Sequence, residues 1–91
     1  VWNDMNEPAV MEVPGKTFPM DVRHDYDGNP CSHRKAHNIY GTQMARATYE
    51  GVKRFAYPKR PFIITRSAYS GAQRYTSSWT GDNVASWEHL W

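Results

Sequence analysis

A helical pattern from about Ser32 to Ala56 constrains the fold of this chain more than any other feature. Apolar residues recur there at spacings of three and four, which lines one face of a helix. They are Tyr40, Met44, Ala47, Gly51, Val52 and Phe55. Pro58 prevents continuation, because proline lacks the backbone donor that a helix interior needs. We therefore predict a helix over residues 32–56, with this face toward the core.

Short runs of β-forming residues lie before and after this helix. A strand is predicted to end near Trp2, ahead of the first polar cluster. Phe62–Thr65 is apolar on both faces, which suits a parallel strand covered on both sides. Ser77–Thr80 is a further short strand, and Val84–Trp91 carries the pattern of another helix start. This alternation predicts an α/β fold of βαβ type, with polar and aromatic clusters at the strand ends.

The segment from Pro8 to about Cys31 is predicted to be a long loop. Proline, glycine and aspartate residues interrupt it repeatedly, and such residues break helices and strands. Its breakers are Pro8, Pro14, Gly15, Pro19, Gly28 and Pro30. Long loops inside compact domains usually belong to a functional site, so we expect this segment to border one.

Composition excludes several classes of function. The net charge of +2 comes with scattered pairs of basic residues, so nucleic-acid binding is not expected. No apolar run is long enough to cross a membrane, and the lone Cys31 excludes an internal disulfide. Val1 and Trp91 leave no polar tail at either end, and we expect the 91 residues to be an excerpt from a larger domain. Localisation and oligomeric state are left open.

Two carboxylates stand out because each follows a predicted strand and a tryptophan. Asp4 lies between apolar neighbours in Trp2-Asn3-Asp4-Met5, which is a poor place for a surface charge. Asp82 follows Trp79-Thr80-Gly81 in the same kind of context. Either residue alone has a structural interpretation: Asp4 could brace its loop, and Asp82 could cap the following helix.

Paired carboxylates are the machinery of glycoside hydrolysis. One protonates the departing oxygen while the other attacks the sugar or positions water. The residues alone therefore make Asp4 and Asp82 a candidate catalytic pair and leave open which of them attacks and which transfers the proton. Arg66, directly after the second strand, could donate to sugar hydroxyls or could instead bridge a structural carboxylate.

Four blocks of this sequence resemble glycoside hydrolase family 31, most closely its α-glucosidase branch. They are Trp2-Asn3-Asp4-Met5-Asn6-Glu7-Pro8, His37-Asn38-Ile39-Tyr40-Gly41, Thr65-Arg66-Ser67 and Trp79-Thr80-Gly81-Asp82-Asn83. The blocks follow the order and approximate spacing of the family and cover nearly the whole chain.

The resemblance implies part of a (β/α)8 TIM barrel, roughly from the end of strand 4 to the start of helix 6, formed by residues 1–91. It implies a retaining α-glucosidase that removes terminal non-reducing α-linked glucose from oligosaccharides without cofactor or metal. On matching positions, Asp4 is the nucleophile and Asp82 the acid/base, with carboxyl groups about 5–5.5 Å apart. Trp2, Met5, Arg66 and Trp79 line the glucose subsite. The second block is interpreted as packing and loop anchoring. A closed barrel needs about 250 residues, so the isolated chain is expected to be inactive.

Three alternatives compete with this interpretation. Another family activity (α-xylosidase, transglucosylase or α-glucan lyase) could share these blocks. A non-catalytic carbohydrate-binding module could use Trp2, Trp79 and Trp87 to stack on sugar rings. A metal site could form from a cysteine and three histidines, because His33 and His37 are spaced i,i+4 and could share one face of a helix. Its members are Cys31, His33, His37 and His24.

Overall fold

The computed structural model describes residues 1–91 as a parallel sheet, one main helix and a separate hairpin. In chain order the elements are β1 (Trp2–Asn3), β2 (Arg23–His24), β3 (Cys31–Ser32), α1 (His33–Ala36), α2 (Tyr40–Phe55), β4 (Ile64–Thr65) and β5 (Ser77–Ser78). Two 3-10 helices cover His37–Ile39 and Ala72–Arg74. No helix is both long and apolar enough to span a membrane.

The sheet has the order β1-β4-β5, and both strand pairs are parallel. Asn3 pairs with Thr65, and Thr65 pairs with Ser78, so the three strands end at the same edge. Helix α2 connects β1 to β4, which confirms the predicted βαβ unit. The connection from β4 to β5 contains only the second 3-10 helix.

The predicted helix over 32–56 is interrupted. Its path is helical almost throughout, but the 3-10 segment His37–Ile39 separates α1 from α2. A 3-10 turn is tighter than an α-helix, so it redirects the chain between the two. The long helix α2 ends at Phe55, three residues before Pro58, as expected.

The face of α2 that packs on the sheet is not the predicted one. Gly41 and Ala45 are the buried residues of α2, whereas Ala47 is exposed and Phe55 is 84% exposed. Small side chains permit the closest approach to the strands, so the large apolar residues are displaced from this contact. Tyr40 and Met44 instead line a cavity beneath the hairpin, beside His24 and Tyr26.

Strand β4 is not buried on both faces, contrary to the prediction. Ile63 and Thr65 are buried, at 2% and 0% exposure, whereas Phe62 is 70% exposed. Successive strand residues point to opposite faces, and α2 covers only one of them. The sheet therefore has one covered face and one open face.

Two further expectations are corrected. The segment 8–31 is not a plain loop, because Arg23 and His24 pair antiparallel with Ser32 and Cys31 in a β-hairpin. No helix forms over Val84–Trp91, where only turns and bends occur and every side chain is exposed. A helix this short is marginal without a surface to pack on, and this segment has none. The structure therefore does not confirm the predicted helix start over these residues.

Candidate active site

The site lies at the edge where the three parallel strands end. Asp4 follows β1, Arg66 follows β4 and Trp79 follows β5, each directly after the last strand residue. The ladder continues into these positions. The Arg66 amide donates to the Asn3 carbonyl at 3.0 Å, and the Trp79 amide donates to the Thr65 carbonyl at 3.4 Å. Residues from distant parts of the sequence are thereby brought to one edge.

Asp4 is held by the backbone turn that follows it. Met5 has φ 59°, a left-handed conformation that is uncommon for residues other than glycine. In this turn the Met5 amide donates to Asp4 Oδ1 at 2.9 Å. Oδ2 of Asp4 accepts no hydrogen bond from the chain, so this oxygen remains available to a ligand. The carboxylate therefore braces its loop, as the structural interpretation of Asp4 predicts, and still presents a free oxygen.

Arg66 is the centre of the charged cluster. Its Nη1 lies 3.3 Å from Asp4 Oδ1, and its Nε and Nη2 donate to the two carboxylate oxygens of Glu7 at 2.8 and 3.0 Å. Nη2 also donates to Met5 Sδ at 3.0 Å. The structure therefore places Arg66 in a carboxylate bridge, the second of the two roles predicted for it.

Glu7 is a site residue that the sequence reasoning missed. Its pKa lies below the ordinary value, chiefly because the Arg66 side chain hydrogen-bonds to the ionised carboxylate. The pKa of Arg66 is raised for the same reason, and the negative charges of Glu7, Asp4 and Asp82 add to the effect. The sequence did contain a signal for this pair. Glu7 lies in the same loop as Asp4, and Arg66 follows β4, the strand that pairs with β1.

Asn6 joins the loop after β1 to the loop after β4. The side chain is fully buried, its Nδ2 donates to Thr65 Oγ1 at 2.7 Å, and its Oδ1 accepts from the Ser67 amide at 3.1 Å. Sequence reasoning did not single it out. These two bonds fix the loop that carries Asp4 and Glu7 relative to the one that carries Arg66.

Gly81 brings the second predicted carboxylate to this cluster. It has φ +92°, and a Cβ built there would lie 3.3 Å from Cδ of Arg66, so glycine suits both the conformation and the close approach. The adjacent Asp82 is exposed, and its charge raises the pKa of Arg66. Because no helix follows, Asp82 is not a helix cap.

Trp2 and Trp79 form an aromatic pair beside the charged residues. Their ring centroids are 6.1 Å apart with the planes inclined by 58°. Trp2 is 66% exposed, so part of its face is available to a ligand. Amphipathic aromatic rings next to hydrogen-bonding groups suit a flat, polar ligand such as a sugar. The structure thus places five predicted site residues around one edge: Trp2, Asp4, Met5, Arg66 and Trp79. Asp82 lies in the segment that follows Trp79.

The histidines form a packed cluster away from this edge. His33 is fully buried, with Nδ1 2.8 Å from His24 Nε2 and Nε2 3.0 Å from Thr17 Oγ1. The His37 ring lies 4.6 Å from the His33 ring between centroids. Both nitrogens of His33 are therefore engaged within the chain. No group of three His, Cys, Asp or Glu side chains is arranged to hold a metal ion, so the geometry does not support the metal alternative.

Comparisons with known proteins place this geometry in context. The family model described as the glycosyl hydrolases family 31 TIM-barrel domain matches residues 1–91. The chain is similar to alpha-glucosidase 2 of Bacillus thermoamyloliquefaciens, with 53% identity over 90 residues that cover 99% of this chain and 11% of the relative. It is similar to the glucosidase 2 subunit alpha of Saccharomyces cerevisiae, with 47% identity over 99% of this chain and 9% of the relative.

A solved structure gives the same result. The family 31 alpha-glucosidase from Bacteroides thetaiotaomicron superimposes with a TM-score of 0.73 and 43% identity, over 98% of this chain and 13% of that one. The chain therefore spans only 9% to 13% of the lengths of these three proteins.

Proposed function

This chain belongs to glycosyl hydrolase family 31 and to its TIM-barrel domain, and on that basis we propose that it carries the catalytic carboxylates of a retaining α-glucosidase. The proposed substrate is a terminal, non-reducing, α-linked glucose of an oligosaccharide. One observation carries the proposal: Asp4 directly follows β1 at the edge where the three parallel strands end, with Oδ1 held by Arg66 and the Met5 amide and Oδ2 free. No metal or organic cofactor takes part.

The roles proposed for the two carboxylates fit their surroundings. Asp4 Oδ1 is held by the Met5 amide and Arg66, which leaves Oδ2 to attack the anomeric carbon. The exposed Asp82 donates a proton to the departing glycosidic oxygen and then takes one from the attacking water. This division corresponds to the double-displacement mechanism of retaining glycosidases, in which a covalent glycosyl-enzyme forms and is hydrolysed.

Four residues are proposed to form the glucose subsite. Trp2 and Trp79 would pack on the sugar, and the thioether of Met5 would border the nucleophile. Arg66 has five N–H groups, of which three donate to Glu7 and Met5. The N–H groups of Nη1 remain for Asp4 and for a sugar hydroxyl.

We place the three strands as strands 4, 5 and 6 of a closed barrel, with residues 1–91 as one segment of that domain. A barrel of this type has eight strands, so the remaining strands would cover the open face of the sheet and complete the pocket. Activity is therefore proposed for the complete barrel and not for these residues alone.

A chimera tests the proposal in a complete barrel. Residues 1–91 replace the matching stretch of the Bacillus α-glucosidase, and turnover of 4-nitrophenyl α-glucoside and maltose is measured. We expect an active chimera that Asp4→Ala inactivates. Asp82→Ala should lower maltose turnover by about 10²–10⁴-fold, the usual contribution of general acid–base catalysis. The drop should be smaller for the nitrophenyl substrate, whose leaving group needs less protonation. Asp21→Ala, at an exposed site, is the matched control.

Covalent labelling distinguishes the alternatives. A 5-fluoro glucosyl fluoride should label Asp4, and labelling of another residue would refute the assignment of the nucleophile. If Asp4→Ala and Asp82→Ala left turnover intact, the residues would belong to a binding module. Faster turnover of an α-xyloside than of an α-glucoside would favour an α-xylosidase. Glucose transfer to an acceptor sugar at a higher rate than hydrolysis would favour a transglucosylase.

A further inference from the structure

We propose that Glu7 is a positioning residue that fixes the orientation of Arg66, and that Arg66 in turn leaves one oxygen of Asp4 free to attack. The proposal rests on the function proposed above and assigns a third carboxylate to the same site. Glu7 itself needs no contact with the sugar.

The geometry of the pair supports a positioning role. Both carboxylate oxygens of Glu7 accept from the same guanidinium, Oε1 from Nε at 2.8 Å and Oε2 from Nη2 at 3.0 Å. A two-point contact between planar groups defines orientation as well as distance. Met5 Sδ takes the remaining N–H of Nη2. The guanidinium can therefore present only its Nη1 edge toward Asp4.

The charges explain why this orientation matters. Arg66 contacts the carboxylates of Glu7 and Asp4, and its pKa is raised most strongly by the bond to Glu7. Asp4 faces only Nη1, at 3.3 Å, and through Oδ1 alone. Without Glu7, the guanidinium would be free to turn its fork toward Asp4 and pair with both of its oxygens. A nucleophile paired in this way has no free oxygen directed at the anomeric carbon.

The surrounding packing keeps Arg66 in this position. The bare Cα of Gly81 lies against the aliphatic stem of Arg66, where a Cβ would be 3.3 Å from Cδ. The loop that carries Glu7 is attached through Asn6 to Thr65 and Ser67, on either side of Arg66. Glu7 and Arg66 are thus held from both strands that they connect.

The test uses the active chimera with Glu7→Gln and Glu7→Asp. Glutamine has the same shape, but it keeps only one acceptor oxygen and places an amide NH2, which can only donate, against the N–H groups of Arg66. We expect Glu7→Gln to lower kcat by about 10- to 100-fold, the effect of losing a hydrogen bond to a charged group. KM should change much less. Glu7→Asp keeps the charge and should restore part of the lost kcat, whereas a general packing role would not distinguish these variants in this way.

A double-mutant cycle with Arg66→Ala decides whether Glu7 acts through Arg66. If it does, Glu7→Gln should lower kcat by less than about 3-fold once Arg66 is removed, because the mediating group is already absent. A full loss in the Arg66→Ala background would overturn the proposal, since Glu7 would then act independently. Wild-type kcat in Glu7→Gln would overturn it as well. Asp4→Ala, measured in parallel, keeps this outcome separate, because activity without Asp4 would instead refute the proposed nucleophile.

Discussion

Replacing Gly41 with alanine tests the contact between α2 and the loop after β4. A Cβ at this position would lie 2.6 Å from the Ser67 carbonyl oxygen and 2.7 Å from Ser67 Cβ and Oγ. Separations below 3.0 Å essentially do not occur for a Cβ, and one of these atoms belongs to the backbone. The helix or the loop must therefore move, and the loop also carries the Tyr69 amide that donates to Thr42 Oγ1 at 2.8 Å.

The magnitude follows from two opposing terms. Overpacking in a tight contact costs about 1–3 kcal/mol. Alanine gains about 1 kcal/mol over glycine inside a helix, and less near its first turn, where Gly41 lies. We expect Gly41→Ala to lower the free energy of unfolding by about 1–2 kcal/mol. In a barrel-sized domain this corresponds to a melting temperature lower by about 2–8 °C.

Gly51 provides a matched control in the same helix, because a Cβ there would meet nothing within 4 Å. Gly51→Ala should therefore raise the melting temperature by about 2–4 °C through helix propensity alone. Both variants are compared with the unmodified chimera by calorimetry and circular dichroism. An unchanged or raised melting temperature in Gly41→Ala would refute the predicted clash. Equal losses in both variants would also refute it, because the loss would then not depend on the contact with Ser67.

Two further predictions concern pH and the loop connection. Burial is the main cause that holds the pKa of His33 below its ordinary value of 6.5, and the charges of His37 and His24 add to the effect. The neutral His33 side chain therefore stabilises the fold fully above pH 6.5. This contribution is lost as the pH falls through the lower pKa of the folded state. The melting temperature should therefore fall as the pH is lowered from 7 to 5, a window above the range in which Glu7 titrates. His33→Gln should flatten this pH profile. Parallel profiles for the variant and the unmodified protein would contradict the prediction. Asn6→Ala leaves the Ser67 amide without its acceptor and should lower the free energy of unfolding in urea by about 1–3 kcal/mol. The control Asn38→Ala, at an exposed position, should not lower it. Equal effects of the two substitutions would show that the hydrogen bonds of Asn6 do not stabilise the fold.

The βαβ core was predictable because its signals are local. Pro58 marks the end of the α2 region. The predicted strand segments 62–65 and 77–80 include the two-residue strands β4 and β5 that the structure shows. The positions of Asp4 and Arg66 follow from the same reasoning, since parallel strands place their carboxyl ends at one edge.

The remaining features depend on tertiary contacts that local patterns do not contain. The covered face of α2 is chosen by how closely a helix can approach the strands, so Gly41 and Ala45 are buried in place of Phe55. Val84–Trp91 has a helical pattern but no surface to pack on, and it forms turns. The pair of Glu7 with Arg66 depends on the register of β1 against β4, which side-chain identity alone does not determine.

The separation of Glu7 and Arg66 along the chain also has a consequence during synthesis. The two residues are 59 positions apart, and at a translation rate of about 5–20 residues per second their appearance differs by about 3–12 s. Throughout that interval the loop with Asp4 and Glu7 carries two negative charges without their cation. The carboxylates must stay hydrated until Arg66 has left the ribosome. The ion pairs of the site therefore form late, after α2 has been synthesised.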